Sequence, residues 1–304
     1  MSKNNIAAII YLRNKLHKWK NIAILSLIFS ILLTFKFIFA GPDLSASEDE
    51  FIAEVNIEGV IFQNKYRSKV LEEIAKDEKI KAVIININSP GGGIVGSEVL
   101  YENLKDISLH KPIVVVMGSV AASGGYMAAM SSKHIIARNG TLTGSIGVVM
   151  ESPDVTELAT KIGVKVNSYK SSPLKASPSI FEKPTQKVNN VIQSSIDDSY
   201  GFFVDLVLES RAKKISKEYR EIAFDGRVFT GRQALRIGLI DQIGGKKEAL
   251  DYLQKQKIDK NLDLKEVKIF KDERNFFEKL FSQVTFFDNF NTISRSPQIM
   301  TIVQ

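Results

Sequence analysis

Residues 81–89 read KAVIININS, a run that is β-branched and nearly all apolar. Such a run suits a strand covered on both faces, as strands are in a parallel sheet flanked by helices. Its neighbours fit the same picture. Upstream, FIAEVNIEGVI (51–61) alternates as a strand does, and YRSKVLEEIAKDEK (66–79) sets Val70, Leu71 and Ile74 on one helical face. Downstream come a helix in GSEVLYENLKDI (96–107), a strand in PIVVVMG (112–118), a helix from Ser123 and a strand in HIIARN (134–139). This alternation predicts an α/β domain with parallel pairing.

Beyond VKVNSYK (164–170) lies a Ser- and Pro-rich loop, 171–179, followed by a long helix from about Thr185 to Lys214. FTGRQALRIG (229–238) has the spacing of a capping box, Thr230 to Gln233, and a stop at Gly238. No internal repeat of useful period is present.

The chain has 304 residues and no Cys, which removes disulfides, a thiol nucleophile and thiolate metal sites. Its formal charge is +7, but the excess is local. Lys3, Arg13, Lys15, Lys18, Lys20 and Lys36 fall within residues 1–41, where there is no acid; without those six, 35 basic residues face 34 acidic ones. A global basic footprint is absent, so nucleic acid is not an expected partner.

The basic head precedes IAILSLIFSILLTFKFIFA, Ile22 to Ala40, which as helix reaches about 28 Å, close to the thickness of a bilayer core. Basic residues before it and Asp43, Glu48, Asp49 and Glu50 after it orient the N-terminus to the cytoplasm. Ile38 fits a small-x-small cleavage rule poorly, so an uncleaved anchor is expected. The sequence thus divides into a cytoplasmic basic segment (1–20), a transmembrane signal-anchor (21–41), a polar linker (42–50), an α/β domain (51–260) and an aromatic-rich C-terminal extension (261–304). In the last, RNFFEKLFSQVTFFDNF (274–290) reads as a helix docked on the domain or on another protomer, with interfacial membrane contact as the alternative.

Two small-residue motifs carry the chemistry. NINSPGGG (86–93) ends a buried strand and opens a helix, so its amides point into space and favour negative charge there, as a phosphate cradle or an oxyanion hole would need. Taken alone, it also reads as merely a tight turn. It lacks Gly-Lys-Ser/Thr and G-x-G-x-x-G, so neither a P-loop nor a dinucleotide fingerprint is present, and no cofactor is expected. VMGSVAASGGYMAAM (116–130) repeats the arrangement one strand later, with Ser123 at the strand-to-helix junction and Gly124 after it. A hydroxyl beside amide donors from two loops is the acyl-transfer pattern of nucleophile and oxyanion hole. The competing reading makes Ser123 a helix N-cap.

An activated serine needs a base. The three His, at 17, 110 and 134, are poorly placed by local geometry, and residue 121 is Ala, so this is not a G-x-S-x-G elbow. Lysine remains, and acts only as the neutral amine. Bringing a lysine from near 10.4 to about 7 takes roughly 4–5 kcal/mol of ammonium destabilisation, which apolar burial supplies and a carboxylate opposes. Between Glu157 and Glu182 there is no Asp or Glu, and Lys161, Lys165, Lys170 and Lys175 lie within that gap. Composition does not choose between Lys170 and Lys175.

SPGGG (89–93), GSVAASGGYMAA (118–129), LTGSIGVV (142–149), SSPLKASPSIFE (171–182) and DGRVFTGRQALRIGLIDQIGG (225–245) together resemble the signal peptide peptidase A family of Ser–Lys serine peptidases, in its short, single-domain form. The likeness runs from about Val55 to Leu253 with the motifs in order. It implies a ClpP/crotonase-type spiral of ββα units. It also implies Ser123 as nucleophile, Lys175 as general base, Ser145 as the serine that orients the lysine, and the amides of Gly92 and Gly124 as the oxyanion hole. The lysine loop here reads Lys-Ala-Ser-Pro where many relatives have Lys-Asp. Further implications are a homo-oligomer that shares its active sites between protomers, and hydrophobic remnant signal peptides as substrates at the inner membrane. The rival readings are a crotonase-like acyl-CoA hydratase or isomerase and a non-catalytic membrane scaffold.

Overall fold

The computed structural model describes residues 15–31 and 49–270. Helix α1 covers residues 15–31. The rest runs β1 (Phe51–Glu58), α2 (Lys65–Lys76), β2 (Ile80–Ser89), α3 (Ile94–His110), β3 (Ile113–Ala122), α4 (Gly124–Ala129), β4 (Ile135–Ala137), β5 (Leu142–Gly144), α5 (Thr156–Lys161) and α6 (Gln186–Arg211). After a 3-10 turn, Lys217–Tyr219, come α7 (Arg220–Ala223), β6 (Val228–Thr230), α8 (Gly231–Ile237), β7 (Gln242–Ile243), α9 (Lys246–Lys255) and β8 (Asp263–Val267). None of the described helices is long and apolar enough to cross a membrane. Much of the expected span 21–41, part of the linker and the aromatic run 274–290 lie outside the described residues.

The strands form one sheet ordered β6-β5-β3-β2-β1-β8, with β4 beside β3 and β7 beside β4. Every pairing is parallel except β5 with β6. The expected α/β domain with a parallel sheet is what forms. β8 comes from the stretch assigned to the C-terminal extension, yet pairs with β1, so the sheet takes in residues beyond 260.

Alternation divides the strands between two cores. Val55, Ile57, Val83, Ile85, Ile87, Val115 and Met117 pack with Val70, Leu71 and Ile74 of α2 and Leu100, Leu104 and Ile107 of α3. Ile52, Ala82, Ile84 and Val114 pack with Ala249 and Leu253 of α9. Each fully buried Val, Leu, Ile or Met among these contributes about 1.5–3 kcal/mol over an exposed one. The expectation of a strand buried on both faces holds only for the first part of β2. Asn86 is half-buried and Asn88 exposed, where the second core has ended. Asn86 Nδ2 there donates to Glu54 Oε1 and Asn56 Oδ1, each at 2.8 Å.

β3 forks the sheet. Its first half pairs with β4 through Val115 and Val116, its second with β5 through Val120 to Ala122. Between them the register against β2 jumps from Ile87↔Met117 to Ser89↔Ala121, so β3 bulges by two residues. Asn88 Oδ1 fills the gap in the ladder by accepting the Val120 N–H at 3.2 Å. Thr141 Oγ1 donates to Gly118 O at 2.7 Å from the other side. Bulges of this kind re-aim the side chains at a strand end, and this one sets the end that leads into Ser123.

Candidate active site

Ser123 joins β3 to α4 with φ 51° and ψ −121°. Positive φ is rare for a residue with a Cβ and persists where the surroundings enforce it. Its N–H donates to Gly144 O at 2.9 Å and its carbonyl accepts Met127 N–H at 2.9 Å. Its side chain makes no capping bond to α4. The N-cap alternative therefore fails: the half-buried hydroxyl is not spent on the helix.

The Gly-rich turn after β2 meets this junction backbone to backbone. Gly91 has φ +105°, and a Cβ there would stand 2.8 Å from Gly124 N and 2.9 Å from Ser123 Cβ. A Cβ on Gly124 would stand 2.0 Å from Ser97 Oγ and 3.3 Å from Gly92 N. The small residues are therefore a requirement of close approach between two loops. The Gly91 N–H is taken by Ser89 Oγ at 3.1 Å and the Gly93 N–H by Ile61 O at 3.0 Å. No acceptor among the described residues takes the N–H of Gly92 or of Gly124. Two unspent amides thus stand beside an unspent hydroxyl.

Ser145 is brought into the same corner. Ala122 pairs with Gly144, so Ser123 and Ser145 each lie one step beyond a paired position on adjacent strands. Ser145 also has φ 51°, and its N–H donates to Arg227 O at 2.8 Å.

The lysines stand apart. Lys175 is exposed on a turn closed by its N–H to Ser172 O at 3.1 Å, and Ala176 after it has φ 58°. No hydrogen bond or ion pair among the described residues joins Lys175 to Ser123 or Ser145. The alternative, Lys170, is ion-paired to Glu182 at 2.5 Å, and that bond holds the Glu182 carboxyl below the usual carboxylate range. A carboxylate partner favours the ammonium over the amine, which counts against Lys170 as a base. His134 stacks on Tyr252 at 4.1 Å and His110 Nδ1 bonds Asp106 O at 2.8 Å, so both are occupied elsewhere.

Two residues here escaped the sequence reading. Ser97, 1% exposed, donates through Oγ to Gly93 O at 3.0 Å and packs against Gly124. Tyr126 lies on α4 with its ring buried and its hydroxyl donating to Leu239 O at 2.8 Å. The only signal for Ser97 was its place four residues after Gly93, on the first turn of α3.

A strained serine beside two free amides can support acyl transfer, the chemistry of the serine hydrolases. Comparison with known proteins narrows that class. Residues 105–260 match the model of peptidase family S49. A Synechocystis sp. protein named as a protease is 38% identical over 200 residues, covering 65% of this chain and 71% of that one. An Enterococcus faecium protein named as signal peptide peptidase SppA is 40% identical over 188 residues, covering 62% of this chain and 54% of that one. Among solved structures, a ClpP1 variant from Listeria monocytogenes superimposes with a TM-score of 0.40 at 15% identity, over 64% of this chain and 93% of that one. The chain belongs to peptidase family S49 and is a serine peptidase of the signal peptide peptidase A type.

Proposed function

We propose that this chain is a membrane-anchored endopeptidase that degrades remnant signal peptides, with Ser123 as nucleophile and Lys175 as general base. The observation that carries the reading is the Ser123 corner: an uncapped hydroxyl on a strained turn, beside the unpaired amides of Gly92 and Gly124. Ser123 Oγ attacks the scissile carbonyl carbon while its proton passes to the Lys175 amine, which Ser145 orients. The carbonyl oxygen becomes an oxyanion between the two amides. The C–N bond then breaks, the ammonium returns the proton to the leaving amine, and water hydrolyses the acyl-serine by the same path in reverse roles.

Because Lys175 is exposed and unbonded to Ser123, the dyad is completed by a second protomer of a homo-oligomer. The exposed Val149, Leu158, Ile162, Tyr169 and Phe181 on the lysine-bearing arm support that reading, since large apolar side chains favour cover. Val60, Phe62, Ile94 and Val95, exposed around the Gly92 turn, give an apolar rim suited to hydrophobic peptides. The Enterococcus relative's name as a signal peptide peptidase supports the substrate class. The anchor at 21–41 would hold the catalytic domain, a ClpP/crotonase-type spiral, on the outer side of the inner membrane with the N-terminus in the cytoplasm.

A fluorophosphonate probe on the full chain tests the core of this reading. Mass spectrometry should find the adduct on Ser123 and not on Ser97 or Ser145, and Ser123→Ala should neither label nor cleave a synthetic signal peptide. An adduct confined to another serine refutes the assignment.

A further inference from the structure

Helix α4 reads Gly-Gly-Tyr-Met-Ala-Ala, so Tyr126 has its only side chain able to form a strong hydrogen bond. The Leu239 carbonyl that accepts from Tyr126 also accepts from Arg211 Nη2, at 2.8 Å. Arg211 comes from the last turn of α6 and is wholly buried. Its Nη1 reaches both Asp241 carboxylate oxygens, at 2.9 and 2.8 Å. Asp241 is fixed in turn: its Oδ2 accepts the Ile135 N–H and its own N–H donates to Ile135 O, both at 2.8 Å. A continuous set of bonds therefore runs from the serine-bearing helix into α6 and β4.

A buried ion pair is a poor device for stability alone, since an apolar set of the same shape avoids the desolvation cost. What such a network supplies is fixed geometry. Ser123 needs that, because a residue at φ 51° relaxes unless its surroundings over-determine it. On the outer side the Gly144 carbonyl holds the Ser123 N–H; on the inner side the Tyr126 hydroxyl is the helix's only polar side-chain tether.

We infer that Tyr126, braced by the Arg211–Asp241 pair through the Leu239 carbonyl, is a positioning residue that fixes the angle at which Ser123 Oγ meets its substrate. This rests on the reading of Ser123 as the nucleophile. Tyr126 touches no substrate and moves no proton; it acts through α4.

Tyr126→Phe keeps the ring and removes the hydroxyl. In the full chain, the second-order rate of fluorophosphonate labelling at Ser123 should fall about tenfold, the kinetic equivalent of one lost buried hydrogen bond. The kcat for a peptide should fall alike, with KM within about twofold, and labelling should still run to completion. Arg211→Lys should slow labelling similarly, because an ammonium cannot span the carboxylate and the Leu239 carbonyl as the guanidinium fork does. A wild-type labelling rate in Tyr126→Phe overturns the inference and leaves the Ser123 reading standing. Slow labelling that stops short of completion, in step with lost folded protein, marks the tyrosine as structural and also overturns it. No label on Ser123 in the unaltered chain removes the nucleophile reading, and the inference falls with it.

Discussion

Residue by residue, the corner around Ser123 is built by what is missing from its neighbours. A methyl group on Gly124 would press to 2.0 Å from Ser97 Oγ, deep inside van der Waals contact. Gly124→Ala should therefore displace either α4 or α3, at the cost of overpacking, about 1–3 kcal/mol. Because the Gly124 N–H is one of the two free amides, the same shift should lower kcat by about 100-fold, as loss of an oxyanion donor does. Removing the hydroxyl through Ser97→Ala leaves Ser97 Cβ at 2.9 Å from that methyl, so the double variant should regain part of the stability and little of the rate. Urea unfolding and peptide turnover on both variants check this; a fully active Gly124→Ala would remove Gly124 from the site. The glycines themselves were legible in the sequence, because runs of tiny residues at a strand end have few other causes. Ser97 and Tyr126 were not, because each is defined by a contact with a distant part of the chain.

Between elements, the joins are polar and more specific than the packing. Asn88 mends the β3 bulge through Val120 N–H, so Asn88→Ala should leave that amide without its acceptor and destabilise the protein by about 1–3 kcal/mol, with the strand end that carries Ser123 loosened. Hydrogen exchange confined to 118–123 would report it. At Asp241, burial pushes the carboxyl up, but the Arg211 charge, the Lys214 hydrogen bond and the Ile135 N–H outweigh it and hold it below its ordinary value. A carboxyl depressed on folding contributes stability that is present above its unfolded value, about 3.9, and is lost as pH falls through the lower folded value. Acid unfolding should thus have a component absent from Asp241→Asn, which should be less stable at neutral pH and flatter as pH falls below about 4. An unchanged acid limb in that variant would deny Asp241 this role. The first four strands, α2 to α4, the long α6 and the Thr230–Gln233 capping box of α8 were legible from periodicity and spacing. The short β5 and β7, the edge strand β8 and helices α5, α7 and α9 were not. The bulge was not, since PIVVVMG stops reading as strand at the glycine where β3 in fact bends and continues to Ala122. Nor was the open polar face at Asn86 and Asn88, because a strand's own sequence does not say where the covering helix ends.

At the scale of the whole molecule, the described residues keep the proposed base apart from the proposed nucleophile. The sheet, the bulge and the turns assemble Ser123, Ser145 and two amides within one chain, while Lys175 stays exposed on its own arm. For Lys175 to act as the proposed base it must be desolvated, and the described residues around it leave it exposed. If a neighbouring protomer covers it, each site takes its serine from one copy and its lysine from another. Ser123→Ala and Lys175→Ala should then each be inactive, yet mixing them should restore sites at interfaces that pair an intact serine with an intact lysine. In a closed ring with random exchange of equal amounts, about a quarter of the interfaces carry both intact residues, so activity should return to about 25% of the unaltered protein, by the mass-action counting that governs any symmetric head-to-tail assembly. Subunit exchange must be shown with fluorescently labelled protomers before activity is read. With exchange established, a mixture that stays as inactive as its two components would mean that Lys175 reaches Ser123 within its own chain through a movement of the arm, and the shared-site model would be abandoned.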